Sequence, residues 1–216
     1  MSTLAVIGTF YQRHDRTEPL LRRVLLESTR PPDEFWIMCE GEDDVAVAVE
    51  ALGRIGPQIC AVHFRHLPTP MIGDRYAEIP YSRKINAALD RTDADLIVYL
   101  DNGSMPHPDK YAVMAGALEQ HPDWGATYCG QHRTGYHDRV VTAEGPIADA
   151  YCVLNYTQVM HRCTPDRWTL DMRYASPDLA DAMFWRSLHA SLGAFHPVGS
   201  DVLDEHHMEG PQAVGI

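Results

Sequence analysis

The residue with the clearest chemical setting in the sequence is Asp101. It closes Leu96–Leu100, a continuous apolar run of β-branched and aromatic flavour, short enough to be a buried strand. Asn102-Gly103, Pro106 and Pro108 follow, so the chain turns there. A carboxylate on the last step of a buried strand stands at the carboxyl edge of a sheet, where open α/β sheets bind ligands. The plainer alternative is an Asx-turn that merely ends the strand. Other chemically capable groups are the acidic turn Glu40-Gly41-Glu42-Asp43-Asp44, the basic pair Arg83-Lys84, and the carboxylates Asp178 and Asp181 near the start of a late amphipathic segment. The run S-D-V-L-D-E-H-H-M-E-G adds His206 and His207. Each has an ordinary explanation: a solvated helix face for Arg83 and Lys84, the helix dipole for the two aspartates, and a solvated tail for a histidine pair in a chain with twelve histidines.

The elements that must carry these groups alternate in type. Leu4–Phe10 reads as a strand, and Thr17 as the N-cap of a helix with Leu20, Leu21, Val24 and Leu25 at helical spacing up to Ser28. Phe35–Cys39 is a second strand, followed by a helix with Val45, Ala48, Val49 and Leu52 on one face, ending near Gly53 or Gly56. Ile59–Phe64 is a third strand, 66–80 a proline-rich loop, Ser82–Leu89 a helix and Leu96–Leu100 the next strand. This alternation predicts a parallel sheet with helices on both faces. Pro108 opens another helix, with Tyr111, Met114, Ala117 and Leu118 on one face. After Thr127–Cys129 the pattern changes to short strands, Arg139–Thr142 and Tyr151–Asn155. Ser176-Pro177-Asp178 starts a helix that Gly193 stops, and a polar tail runs from Gly199 to Ile216.

At 216 residues the chain is expected to form a single domain with a proper core, and the change near residue 130 separates two halves of it. A formal net charge of -12 argues against broad nucleic-acid binding, so an anionic ligand would have to be met by a few placed Arg or Lys and by backbone N–H groups. No apolar run has transmembrane length, and no signal pattern opens the chain. The five cysteines, Cys39, Cys60, Cys129, Cys152 and Cys163, show no C-x-x-C spacing, which predicts free thiols in a reducing, cytoplasmic setting.

The order of these pieces resembles the family 2 glycosyltransferases. The resemblance is carried by Thr9-Phe10-Tyr11 after the first strand, Cys39-Glu40-Gly41-Glu42 after the second, and Arg83-Lys84-Ile85-Asn86 on the helix before the central strand. Leu100-Asp101-Asn102-Gly103-Ser104 with Pro108-Asp109-Lys110-Tyr111 matches the signature L-D-x-D-D…P-x-x-L, and A-L-E-Q-H-P-D-W-G-A-T-Y follows it. It covers about the first three quarters of the chain; each motif is weak, and their order and spacing are specific.

The resemblance implies the GT-A fold and transfer of a sugar, with inversion, from a nucleotide-diphosphate donor, UDP foremost, to an acceptor hydroxyl. The half 1–130 would bind the nucleotide-sugar and 131–216 the acceptor. Thr9, Asn86, Asn102 and Gly103 would line the nucleotide site. Phe10 and Tyr11 would flank the base, Glu40 would accept from base or ribose, and Arg13, Arg83 or Lys84 would neutralise the diphosphate. Asp181, with Asp178 second, would be the general base. Trp168 and Trp185 would form either an acceptor wall or core.

One departure stands out. The family holds Mn²⁺ or Mg²⁺ with the last carboxylate of D-x-D, and here that position is Gly103. Asp101, His206 and His207 would be the remaining ligands, with imidazole favouring Mn²⁺. A catalytically silent relative that binds a nucleotide-sugar or a protein is the alternative this departure favours. A sugar nucleotidyltransferase would need a glycine-rich phosphate loop, which Gly8-Thr9-Phe10-Tyr11-Gln12-Arg13 is not. The chain shows no C-terminal membrane helices of the polysaccharide-synthase kind, so discrete rather than processive transfer is expected. Sugar and acceptor are not legible.

Overall fold

A computed structural model describes residues 1–57, 60–135, 139–141, 145–147, 154–174 and 177–208. In chain order the strands are β1 (Leu4–Phe10), β2 (Glu34–Cys39), β3 (Ala61–His66), β4 (Met71–Ile72), β5 (Arg75–Tyr76), β6 (Leu96–Asp101), β7 (Ser104–Pro106), β8 (Ala126–Gly135), β9 (Arg139–Val141), β10 (Val159–Arg162) and β11 (Phe195–Met208). The helices are α1 (His14–Arg22), α2 (Glu42–Ile55), α3 (Pro80–Leu89), α4 (Lys110–Gln120) and α5 (Pro177–Leu192). A π-helical turn, Arg23–Glu27, extends α1, and a 3₁₀ turn, Tyr156–Gln158, precedes β10.

The main sheet runs β3-β2-β1-β6-β10-β8-β11-β7, with β9 paired to β8. Its first four strands are parallel, as are β8 and β11, while β10, β7 and β9 pair antiparallel. Strand alternation sends side chains to two cores. Leu4, Val6, Leu96, Val98 and Leu100 pack with Leu20, Leu21, Ala48 and Met114 of α1, α2 and α4. Ala5, Ile7, Ile97 and Tyr99 pack with Ile85 of α3 and Phe184, Trp185 and Leu188 of α5 on the other face. Runs apolar at every position, such as β1, are what burial on both faces requires.

From β1 the chain winds outward through β2 and β3, then returns to lay β6 on the other side of β1. The reversal of winding opens a crevice at the carboxyl ends of β1 and β6. In that register Thr9 pairs with Asp101.

Several boundaries differ from the sequence expectation. Thr17 lies inside α1, where its hydroxyl donates to the Arg13 carbonyl at 3.2 Å, because the turn out of β1 is tight enough to start the helix at His14. The loop expected over 66–80 contains the hairpin β4–β5. The supposed tail instead supplies β11, which fills the gap between β8 and β7 and neutralises its buried Asp204 with Lys110. The change of pattern near residue 130 falls within β8. Of the strand expected over Tyr151–Asn155, residues 151–153 lie outside the described residues and Leu154-Asn155 are not a strand; Ile59, Thr142, Ser176 and the segment 209–216 also lie outside them.

Lys110 is wholly buried, and its ammonium donates to Asp204 Oδ1 and the Thr157 carbonyl, both at 2.7 Å. Asp204 Oδ2 in turn accepts from Gln131 Nε2 at 2.7 Å and Thr157 Oγ1 at 2.9 Å. This network ties α4, β8, β11 and the 3₁₀ turn together, and it places the end of β11 beside the crevice.

Candidate functional site

The site grows from the way the chain leaves β1. Arg13 N–H donates to the Tyr11 carbonyl at 2.8 Å, closing a γ-turn over Gln12, the one described non-glycine residue at positive φ (57°). Such a conformation is strained and must be held by its surroundings. Buried Asp44 does this, accepting from Gln12 N–H at 2.9 Å while also holding Gly41 N–H at 3.0 Å and His14 Nε2 at 2.9 Å. The ends of β1 and β2 are thereby fixed to the first turn of α2. The turn carries the Arg13 side chain across the crevice, where Nη1 donates to the His207 carbonyl at 2.9 Å. Arg16 donates to the Gly103 carbonyl at 3.0 Å.

Asp101 is both a turn residue and a charged centre of the crevice. Its Oδ1 accepts from Gly103 N–H at 2.8 Å and Ser104 Oγ at 3.0 Å, and its Oδ2 from the Tyr156 hydroxyl at 2.9 Å. Ser104 has one proton, given to Asp101, so it accepts from His206 Nδ1 at 3.0 Å and assigns the imidazole proton to that nitrogen. His206 Nδ1 also lies 3.6 Å from Asp101. Burial opposes the charge on Asp101. The His206 charge, the Tyr156 and Ser104 hydrogen bonds and the Arg13 charge outweigh it and hold the carboxyl below its ordinary value.

Tyr156 joins the two carboxylates that the sequence singled out separately. Its hydroxyl holds Asp101, and its backbone N–H donates to Asp181 Oδ2 at 3.2 Å. The ring stacks on Tyr81 at 5.9 Å between centroids. Asp181, in the second turn of α5, is 6% exposed. Asp178 belongs to the same helix, and its side chain lies outside the described residues.

The structure distributes the other predicted residues unevenly. Tyr11 is open to the crevice and hydrogen-bonded to Tyr76 of the β4–β5 hairpin, whereas the Phe10 ring is buried in the core and has no face to offer a base. Thr9 sits 3.4 Å from the Tyr156 hydroxyl, and Asn102 Nδ2 donates to the Tyr11 carbonyl at 3.2 Å. Glu40 and Lys84 form an ion pair at the end of β2, and Glu40 also accepts from Thr69 N–H at 2.8 Å and Thr69 Oγ1 at 3.0 Å. Burial opposes the Glu40 charge, but Lys84 and Thr69 prevail and lower its pKa; burial also opposes the Lys84 charge and there prevails, lowering that pKa. The Lys84 charge is therefore spent on Glu40, and Arg83 is paired to Glu78 at 2.9 Å. Asn86 exchanges two hydrogen bonds with the Trp168 backbone, at 2.8 and 2.9 Å, and so anchors a loop rather than facing the crevice. Trp168 and Trp185 are core, at 2% and 1% exposure.

Sequence reading missed Tyr156, Thr69 and Gln12, and took Asp44 only as one member of an acidic turn. Asp44 had a visible signal, an acidic residue three positions after Gly41 at a helix start, and Asn155 with Gln158 forms a capping box that marks the turn bearing Tyr156. Gln12 and Thr69 had none. Of the cysteines, Cys39 and Cys129 are buried and free, burial pushing both thiols up to about 12, while Cys60 is half-buried and Cys163 exposed.

The three residues predicted to hold a divalent cation do not converge. Neighbouring positions on a strand point to opposite faces, so His207 turns its Nδ1 to Thr134 at 3.2 Å while His206 faces Asp101. The Nδ1 of His206 carries a proton, and both Asp101 oxygens already accept from protein groups. No group of three His, Cys, Asp or Glu side chains fit to hold a metal occurs among the described residues. A hard divalent cation needs several oxygen ligands, and this set does not fit one.

No family model and no curated protein matches the sequence. Solved structures do match. TarS 1–349 of S. aureus superposes with a TM-score of 0.69 at 12% identity, over 95% of this chain and 60% of that one. The same protein was solved with UDP and with UDP-GlcNAc. The mannosyltransferase PcManGT of Pyrobaculum calidifontis, solved with GDP-Man and Mn²⁺, gives 0.63 at 15% identity over 99% of this chain and 58% of that one. Glucosyl-3-phosphoglycerate synthase of Mycobacterium tuberculosis, solved with Mn²⁺ and UDP-glucose, gives 0.63 at 13% identity over 99% and 74%. The fold is thus the GT-A fold of nucleotide-diphospho-sugar transferases. The chain spans about three fifths of the length of the first two relatives.

Proposed function

We propose that the protein is a glycosyltransferase that moves a sugar, with inversion, from a nucleotide-diphosphate donor, UDP-linked in the first instance, to an acceptor hydroxyl. The observation that carries this reading is the single residue Tyr156, which binds the Asp101 carboxylate through its hydroxyl and the Asp181 carboxylate through its N–H. It puts the nucleotide-side turn and the late-helix carboxylate next to one another at the switch point of a GT-A sheet. Nucleotide and nucleotide-sugar complexes of the neighbours support a donor of this class.

Residues 1–130 supply the nucleotide side. Tyr11 offers an exposed ring to the base, Glu40 with Thr69 borders the end of β2, and Arg13 brings positive charge to the diphosphate. Residues 131–216 supply the acceptor side, with Asp181 as the base that takes the hydroxyl proton during attack on the anomeric carbon. Its oxygen Oδ2 is already held by Tyr156 N–H, which orients the carboxylate. Among the described residues a ligand set for Mn²⁺ or Mg²⁺ is not formed. Free thiols make a cytoplasmic setting the natural one.

A nucleotide-sugar-binding module without turnover is the second reading, favoured by the deep burial of Asp181. The two are separated by incubating UDP-glucose, UDP-GlcNAc and GDP-mannose with glycan, lipid-linked and small-molecule acceptors, and measuring nucleoside diphosphate release. Turnover that Asp181→Asn lowers by about 100-fold or more, with nucleotide affinity kept, supports the transferase. Tight nucleotide-sugar binding with no release under any acceptor would establish the silent module.

A further inference from the structure

We infer that this site binds the nucleotide diphosphate without a divalent cation, the Arg13 guanidinium standing in place of the second carboxylate and its metal. The inference rests on the nucleotide-diphosphate reading above and concerns how that ligand is held. The carrying observation is steric. A Cβ built on Gly103 falls 2.5 Å from Arg13 Nη1 and 3.3 Å from its Cζ, so the guanidinium occupies the space into which a side chain at 103 would project. Gly103 is therefore not merely a lost ligand. Its lack of a side chain makes room for a cation supplied by the chain itself.

Two features hold that cation in place, and a third adds to its charge. The γ-turn at Gln12, fastened by Asp44, directs Arg13 toward the crevice. The His207 carbonyl accepts from Nη1 at 2.9 Å, and the backbone N–H of His207 donates to the Gly103 carbonyl at 2.9 Å, so β11 and the 102–104 turn are locked on either side of the guanidinium. Arg16 donates to the same Gly103 carbonyl at 3.0 Å, adding a second positive charge to the turn. A strained backbone maintained around a placed arginine, in a chain of net charge -12, has the form of a built anion site. Chemically the exchange is sound: a guanidinium neutralises phosphate oxygens and offers directed N–H donors, whereas a metal would need carboxylates that Asp101 alone cannot supply.

The test is calorimetric titration of UDP, and separately GDP, into the full chain in EDTA and then in Mn²⁺, repeated on Arg13→Ala, Arg13→Lys and Gly103→Asp, with far-UV circular dichroism to show that each variant is folded. The expected result is a dissociation constant that differs by less than about threefold between EDTA and Mn²⁺, weakens about 10-fold or more in Arg13→Ala, and recovers in part in Arg13→Lys. Gly103→Asp, which displaces the guanidinium and adds a carboxylate, should weaken binding in EDTA and make it respond to Mn²⁺. If Mn²⁺ tightens wild-type binding about 10-fold or more, or if Arg13→Ala binds as the wild type does, the inference is overturned while the transferase reading stands. Absence of binding by either nucleotide in both conditions would overturn the two together.

Discussion

Lys110→Met is the perturbation that most directly tests how β11 is held against the crevice. Lys110 and Asp204 are completely buried as a pair, and among the described residues the lysine is the cationic partner of that carboxylate, alongside the neutral donors Gln131 and Thr157. Methionine keeps the volume and leaves Asp204 charged in an apolar setting. Breaking a buried pair in this way costs about 3–5 kcal/mol. For a chain of this size that is a fall in Tm of roughly 6–20 °C, which a domain of ordinary stability survives at room temperature. In the double variant Lys110→Met/Asp204→Asn the charge is gone while the amide oxygen still accepts from Gln131 and Thr157, so about half of the loss or more should return. Urea denaturation at pH 7 on the wild type, both single variants and the double variant gives the cycle. UDP titration of the folded variants should show weaker binding in Lys110→Met, since β11 carries His206 and the His207 carbonyl that anchors Arg13. A single-variant loss under about 1 kcal/mol, or a double variant no more stable than the single, would refute the placement of an essential charge pair beneath the site.

Further expectations concern other parts of the molecule. His161 is buried, accepting at Nε2 from the Tyr99 hydroxyl (2.8 Å) and donating from Nδ1 to the Arg162 carbonyl (2.7 Å), and burial pushes its pKa down to about 4 from 6.5. The unfolded chain takes up that proton first, so the contribution of His161 is complete above pH 6.5 and is lost as pH falls from 6.5 to about 4, some ~3 kcal/mol in all. Denaturation midpoints across that range should fall in the wild type and be flatter in His161→Gln; parallel profiles would count against it. Tyr156→Phe keeps the ring against Tyr81 but removes the hydrogen bond to Asp101, costing about 1.5–3 kcal/mol and raising the Asp101 carboxyl, which NMR titration would detect; an unmoved titration curve would detach the phenol from Asp101. Gly125→Ala puts a Cβ 2.5 Å from the Leu192 carbonyl oxygen and 2.9 Å from Leu192 Cα, and should cost about 1–3 kcal/mol in urea denaturation because backbone must shift; a neutral effect would show that the end of α5 yields freely.

The first half of the architecture was legible from local pattern alone. β1, β2 and β6 are apolar at nearly every position because both faces of the sheet are covered, and the helical stripes between them follow from local periodicity. Asp101 was legible for the same reason, as a charge that ends such a run, and it is an Asx-turn and a crevice residue at once. Features that depend on a partner distant in sequence emerged only on folding. The polar stretch around Asp204, His206 and His207 reads as a solvated tail until Lys110, 94 positions away, neutralises Asp204 and makes it a strand. Phe10 and Tyr11 are adjacent aromatics, and only the fold sends one into the core and leaves the other in the crevice. Lys84 and Asn86 carry the right chemistry for a nucleotide, but Glu40 and the Trp168 backbone engage them. Arg13 gave no sign in the sequence of facing Gly103; a strained turn at Gln12, imposed by Asp44, is what brings the two together. Local pattern fixes which segments are buried, since burial is a property of each residue. Charge pairing and side-chain direction at a site are properties of two or more segments, and they exist only once the chain has folded.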